Sequence, residues 1–204
     1  MRLRNIKNAK EIIENSKYII LNPEENKGKW RKIFNNDNPI YIEIGMGKGK
    51  FILENALKYK DINFIGIEKF DSVMARAIKK IDKYELDNLK LIRIDAKEIN
   101  SVFDKEIDII YLNFSDPWPK DRHEIRRLTH KGFLIKYDDI FKNKKIIEMK
   151  TDNKNLFEYS VVSLSKYGYI IEEISVNAQE EITTEYEDKF IKLGNPIYKI
   201  KYMK

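Results

Sequence analysis

The chain has 204 residues, no cysteine and a formal net charge of +6, from 39 Lys and Arg against 33 Asp and Glu. This length suits one domain, the missing cysteines exclude disulfides and thiolate metal sites, and no apolar run approaches the roughly 20 residues that span a bilayer. The basic start, Met1 to Lys10, has no apolar stretch behind it and does not read as a signal peptide, so a cytoplasmic protein is expected.

Residues 1–38 are polar with scattered apolar positions (Ile12, Ile13, Trp30, Ile33, Phe34). They read as an N-terminal extension packed on a single domain spanning 1–204. From there apolar strands alternate with amphipathic helices, which argues for an α/β fold with a mostly parallel sheet covered on both faces. Strands are expected at 39–44, 63–68, 89–94, 107–113, 145–150, 169–174 and 196–201. Helices are expected at 48–59, 71–84, 133–141 and 153–166. In the second of these, Val73, Ala77, Ile78 and Ile81 fall at helical spacing. No helix is expected between the last two strands, which suggests an antiparallel hairpin at the sheet edge. Its connection, 178–195, is long, and long loops in compact domains are often functional.

The first strand runs into Glu43-Ile44-Gly45-Met46-Gly47-Lys48-Gly49-Lys50. Glycines let the backbone turn sharply and approach a ligand closely. A dinucleotide fingerprint would place its third glycine at Lys50. Glu43 is also wrong for a pyrophosphate, which it would repel. A cationic ligand without phosphate suits Gly45, Gly47 and Glu43 better, and S-adenosylmethionine has that chemistry. Glu68 ends the second strand, where an acid in a doubly wound fold bonds ribose hydroxyls. Asp95 ends the third, placed to hold an adenine amino group together with the Ala96 backbone. These acids share one crevice at the strands' carboxyl ends.

The fourth strand ends in Asn113-Phe114-Ser115-Asp116-Pro117-Trp118-Pro119-Lys120, followed by Asp121-Arg122-His123. The prolines stiffen this loop. Asp116 and Trp118, each preceding a proline, are expected to be extended. The loop thus holds a carboxylate and an indole at a strand end. Trp118 either stacks on a base, worth on the order of 1–3 kcal/mol, or braces the loop against the domain.

Taken together, Glu43-x-Gly45-x-Gly47-x-Gly49, Gly66-Ile67-Glu68, the Asn113–His123 segment, Arg126-Arg127-Leu128, Lys150-Thr151-Asp152 and Thr184-Glu185-Tyr186-Glu187 resemble the bacterial tRNA (guanine-N7-)-methyltransferases. The resemblance covers about 39–190 and keeps the order of motifs. It implies a Rossmann-like class I enzyme that transfers a methyl group from S-adenosylmethionine to guanine 46 in the tRNA variable loop. It also implies roles by position. Glu43, Glu68, Asp95 and Asp116 match the cofactor-binding acids, and Asp116 the catalytic residue. Lys120, Asp152 and Thr184 through Glu187 match substrate positions. Arg122, His123, Arg126 and Arg127 fall in the RNA-contacting segment, where Asp121, Glu124 and Ile125 dilute the expected cations. Lys131 and the basic N-terminus add to that surface.

Guanine N7 has a free in-plane lone pair, so no general base is needed, and Asp116 reads as a positioning and electrostatic group. Asp152 and Glu187 are placed to accept the guanine's Watson–Crick donors. The only histidines, His123 and His130, are too few for a metal site, and none is expected. The expected partner is tRNA, with no membrane and no protein partner implied, in a monomer or homodimer. A small-molecule methyltransferase and an RNA-binding module with a vestigial pocket are the competing readings. The basic segment after Lys120 speaks against the first and the complete acid set against the second.

Overall fold

In the computed structural model, which describes residues 6–204, the strands are β1 (Ile40–Ile44), β2 (Asn63–Ile67), β3 (Leu89–Ile92), β4 (Ile107–Asn113), β5 (Phe141–Thr151), β6 (Ile170–Val176) and β7 (Tyr198–Met203). They form one sheet in the order β3-β2-β1-β4-β5-β7-β6. The first five are parallel. Strand β7 runs antiparallel between β5 and β6. This is the mostly parallel seven-stranded sheet with an antiparallel edge pair that the sequence pattern implies.

Period-2 alternation sorts the two faces. Ile42, Ile65, Ile110, Ile147 and Ile200 pack with α2 (Trp30–Phe34), α5 (Ile99–Val102), α6 (Lys131–Ile140) and α7 (Lys154–Lys166). On the other face Phe64, Leu89 and Leu91 meet α1 (Ala9–Glu14), α3 (Lys50–Lys58) and α4 (Asp71–Ile81). Beyond α3 that face turns polar, because Tyr111, Asn113, Glu148 and Lys150 point to it from β4 and β5.

The segment before β1 is bound into this frame. Ile20 N–H donates to the Leu91 carbonyl at 3.0 Å and Leu91 N–H to that of Tyr18 at 2.8 Å, which covers the free edge of β3. Trp30 is fully buried, and its indole donates to the Val102 carbonyl at 2.9 Å. Glu106 receives the N–H groups of Gly28 and Trp30 at 2.9 and 2.8 Å, standing in for a cap on α2.

One expectation fails. The 178–195 connection is not a plain loop, since α8 (Glu185–Lys192) lies between β6 and β7. Its start is a capping box. The Thr184 hydroxyl accepts from Glu187 N–H at 2.9 Å, and the Glu187 carboxylate accepts from Thr184 N–H at 3.3 Å. T-T-E-Y-E reads equally as a β-branched strand start and as a helix cap, and the tertiary setting selects the cap.

Candidate active site

The strand order reverses between β1 and β4, and in open α/β sheets ligands bind outside the carboxyl ends at such a point. Here a cleft of about 370 Å³ opens, with Gly45, Glu68, Asp95, Ala96, Asp116 and Trp118 in its wall. Sequence-predicted positions from four separate strand ends therefore share one crevice. Lys69, Lys97 and Arg126 also reach it, so its lining is mixed in charge.

Glu68 is held by backbone. Lys69 and Phe70 N–H donate to Oε1 at 2.9 and 3.0 Å, and Gly47 N–H donates to Oε2 at 3.2 Å. Burial pushes its carboxyl pKa up, against the pull of those three donors. Asp95 caps the turn after β3 by accepting from Lys97 N–H at 3.0 Å, and Lys69 Nζ lies 3.8 Å away. Gly45 and Gly47 both have left-handed φ, +79° and +58°, with open space where a Cβ would stand. Gly49 does a different job. A Cβ there would lie 3.1 Å from that of Ala77, so this glycine lets α3 start tight against α4.

Glu43 sits beneath the turn, 1% exposed. Asn113 Nδ2 donates to its Oε1 at 2.9 Å, while its Oε2 and the Asn113 Oδ1 are buried without partners. Burial pushes the carboxyl up to about 7, with Asn113 and then Lys150 opposing the shift.

The Asp116 loop departs from expectation at Trp118. Its φ is +44°, and that of Phe114 is +50°, rather than extended. Such values are unfavourable for aromatic residues and persist only where the surroundings fix them. Arg127 does so by donating from Nε to the Pro117 carbonyl at 3.1 Å and from Nη2 to the Trp118 carbonyl at 3.0 Å. Its guanidinium also lies 4.3 Å over the Tyr159 ring. Arg126 covers the indole at 4.8 Å, and His123 meets it edge-on at 5.8 Å. Trp118 is thus braced from one side and faces the cleft from the other.

α8 packs against this loop. The Tyr186 ring lies 5.3 Å from Phe114 and 4.4 Å from Phe190. Burial raises the Tyr186 phenol pKa, and the charges of Asp152 and Asp116 raise it further. Thr184 and Glu187 are engaged in the cap. Glu187 is fully buried against Lys150 Nζ at 2.7 Å, with Oε1 unpartnered, and Glu185 pairs with Lys80 of α4. Lys120 and Arg122 are exposed, the first at the N-cap of the turn Asp121–Arg126 that follows the loop and the second within it. The first five residues of the basic N-terminus lie outside the described residues.

Asn113 and Lys150 carry no role in the sequence reading, and Arg127 carries a different one. For the first two a signal exists. Alternation puts Asn113 and Lys150 on the same face as Glu43, and polar residues at inward positions of buried strands call for partners. Nothing local marks Arg127, whose partners are the backbone carbonyls of a loop nine and ten residues earlier.

The sheet order, the glycine turn and the acid-lined crevice define a class I methyltransferase fold. Solved structures agree on that fold: an antibiotic-related methyltransferase superposes with a TM-score of 0.65 at 20% identity, covering 87% of this chain and 94% of the other. The 16S rRNA methyltransferase KamB does so with 0.66 at 10% identity, covering 86% and 92%. A family model described as "Putative methyltransferase" matches residues 37–200. The tRNA (guanine-N(7)-)-methyltransferase of Lachnoclostridium phytofermentans is 46% identical, over 98% of this chain and 97% of its own. That of Bacillus subtilis is 48% identical over 98% and 97%, and that of Streptococcus mutans 48% over 98% and 99%. The chain belongs to the bacterial tRNA (guanine-N7-)-methyltransferase family, a family of enzymes.

Proposed function

We propose that this protein transfers a methyl group from S-adenosylmethionine to N7 of guanine 46 in the variable loop of tRNA. Family membership supports the reaction. The observation that carries it here is the single cleft that joins Gly45, Glu68, Asp95 and Ala96 to Asp116. Those residues fit the cofactor. Glu68 is fixed with its carboxylate at the wall for ribose hydroxyls, Asp95 and Ala96 follow on the next strand for adenine, and the glycine turn is open above buried Glu43. The unpartnered Glu43 Oε2 and Asn113 Oδ1 are acceptors that suit an ammonium better than a phosphate.

When bound, the cofactor supplies an electrophilic methyl group on a sulfonium. The protein's part is alignment and charge placement, because N7 has no proton to lose. Asp116 supplies negative charge beside the ring as it becomes cationic. Asp152, whose charge reaches Tyr186, is the candidate acceptor for guanine N–H donors, and Tyr186 forms an apolar wall with Phe114. Asp116→Ala should therefore lower kcat on the order of 100-fold, the scale of one lost electrostatic contact, a loss that saturating cofactor does not restore. Near-normal turnover would remove Asp116 from the chemistry.

The deciding experiment is labelled methyl transfer to bulk unmodified tRNA with identification of the product nucleoside. N7-methylguanosine is expected, and its loss when guanine 46 is replaced by adenine. A different product would overturn the reading, and unchanged labelling of the replaced tRNA would overturn the position.

A further inference from the structure

All five carboxylates of the 180–188 segment meet lysines of the body. Glu180 pairs with Lys199 at 2.7 Å, Glu181 with Lys58, Glu185 with Lys80, Glu187 with Lys150 at 2.7 Å and Asp188 with Lys50 at 2.6 Å. These lysines come from α3, α4, β5 and β7, so the segment is strapped across the face that carries the glycine turn and the end of β5. The pairs are not equivalent. Lys58 and Glu181 are 38% and 77% exposed, whereas Lys150 and Glu187 are 1% and 0% exposed. Exposed pairs are weak and screened by salt. A buried pair is not screened, and removing one partner strands a charge in the interior.

Lys150 makes further contacts that a simple pair would not need. Its Nζ lies 3.5 Å from the Ile182 carbonyl, at the other end of the same segment, and 5.1 Å over the Phe51 ring of α3. It also acts electrostatically on Glu43 beneath the glycine turn. One ammonium thus touches both ends of the stretch that leads into Tyr186, and it faces the cofactor half of the site as well.

We infer that Lys150 is a positioning residue: through Glu187 and the Ile182 carbonyl it fixes the 182–187 segment, and with it Tyr186, against Phe114 at the guanine site. The inference rests on the proposed function, because it assigns a role toward that reaction's RNA substrate. Lys150 itself touches no reacting atom.

The test is Lys150→Met, Glu187→Gln and the double variant, assayed on bulk unmodified tRNA. K150M should raise KM for tRNA about tenfold or more, the scale of a displaced positioning contact. Its Kd for S-adenosylmethionine by calorimetry should rise far less than KM does, by no more than the lost charge near Glu43 explains. Amide hydrogen exchange should quicken in 182–188 and not in β1 or β4. The double variant should be no worse than K150M, since both act through one contact. An unchanged KM, additive losses, or cofactor binding that weakens in step with KM would each overturn the inference. If K150M does not fold, Lys150→Gln, which keeps a donor for Ile182, takes its place, and collapse of both would assign Lys150 to core stability instead. Should the wild type itself fail to methylate tRNA, the proposed function falls, and hydrogen exchange in K150M still decides whether Lys150 holds the segment.

Discussion

A carboxylate buried beneath a glycine turn links the site to pH. The Glu43 carboxyl titrates at about 7 instead of the usual 4.5, because burial disfavours its charge more than Asn113 and Lys150 favour it. The native chain therefore holds a proton that the unfolded chain has released, between 4.5 and about 7. Stability contributed at this position falls as pH rises through that window and is flat above it. Glu43→Gln removes the titration and keeps the acceptor for Asn113. Its melting temperature should match wild type near pH 5 and exceed it near pH 8, as followed by circular dichroism. Ligand binding reverses the sign. A cation set beside Glu43 favours the ionised form, so wild-type affinity for S-adenosylmethionine should climb from about pH 5.5 to 8, approaching tenfold per unit at most. The E43Q variant should show no such climb. If both proteins bind with the same pH profile, the cofactor's charge does not lie at Glu43.

At the scale of elements, the strands and the helices α3, α4, α6 and α7 were legible because their apolar periodicity is unambiguous. The glycine turn and the acids at strand ends were legible because spacing alone puts them in one crevice. Helix α8 was not, since T-T-E-Y-E fits a strand start and a cap, and the choice depends on Lys150 and Lys80, which are remote in sequence. The Asp116 loop was half legible. Its prolines announce rigidity, but the left-handed Trp118 depends on Arg127, which local sequence places with the RNA-facing cations. That difference is testable. Arg127→Met should leave the salt dependence of tRNA binding unchanged, because the guanidinium is committed to Pro117 and Trp118. It should lower kcat on the order of 100-fold, as expected when a site residue shifts by about 1 Å. A flattened salt slope with normal kcat would return Arg127 to the RNA surface.

Across the whole molecule, the count of 39 Lys and Arg overstates what is free to meet RNA. Lys50, Lys58, Lys80, Lys150 and Lys199 are taken by the carboxylates of the 180–188 segment, and Arg127 by its own loop. Close to Asp116 along the chain Lys120, Arg122 and Arg126 are exposed, the last stacked on Trp118, and exposed Lys69 and Lys97 line the same cleft. Affinity for tRNA should therefore depend on a few residues next to the cleft and not on the lysine-rich composition. Each phosphate contact releases condensed counterions and adds a little less than one to the slope of log K against log salt. Arg122→Ala should accordingly reduce that slope by about one, measured by filter binding at several salt concentrations. Lys58→Ala, which frees Glu181 and removes a cation of equal formal charge, should leave the slope unchanged. Equal reductions from both substitutions would mean that tRNA senses the overall charge of the chain. A reduction from Arg122→Ala alone would place the phosphates over the Asp116 loop, where the backbone of the target nucleotide must pass to bring its base to the cleft.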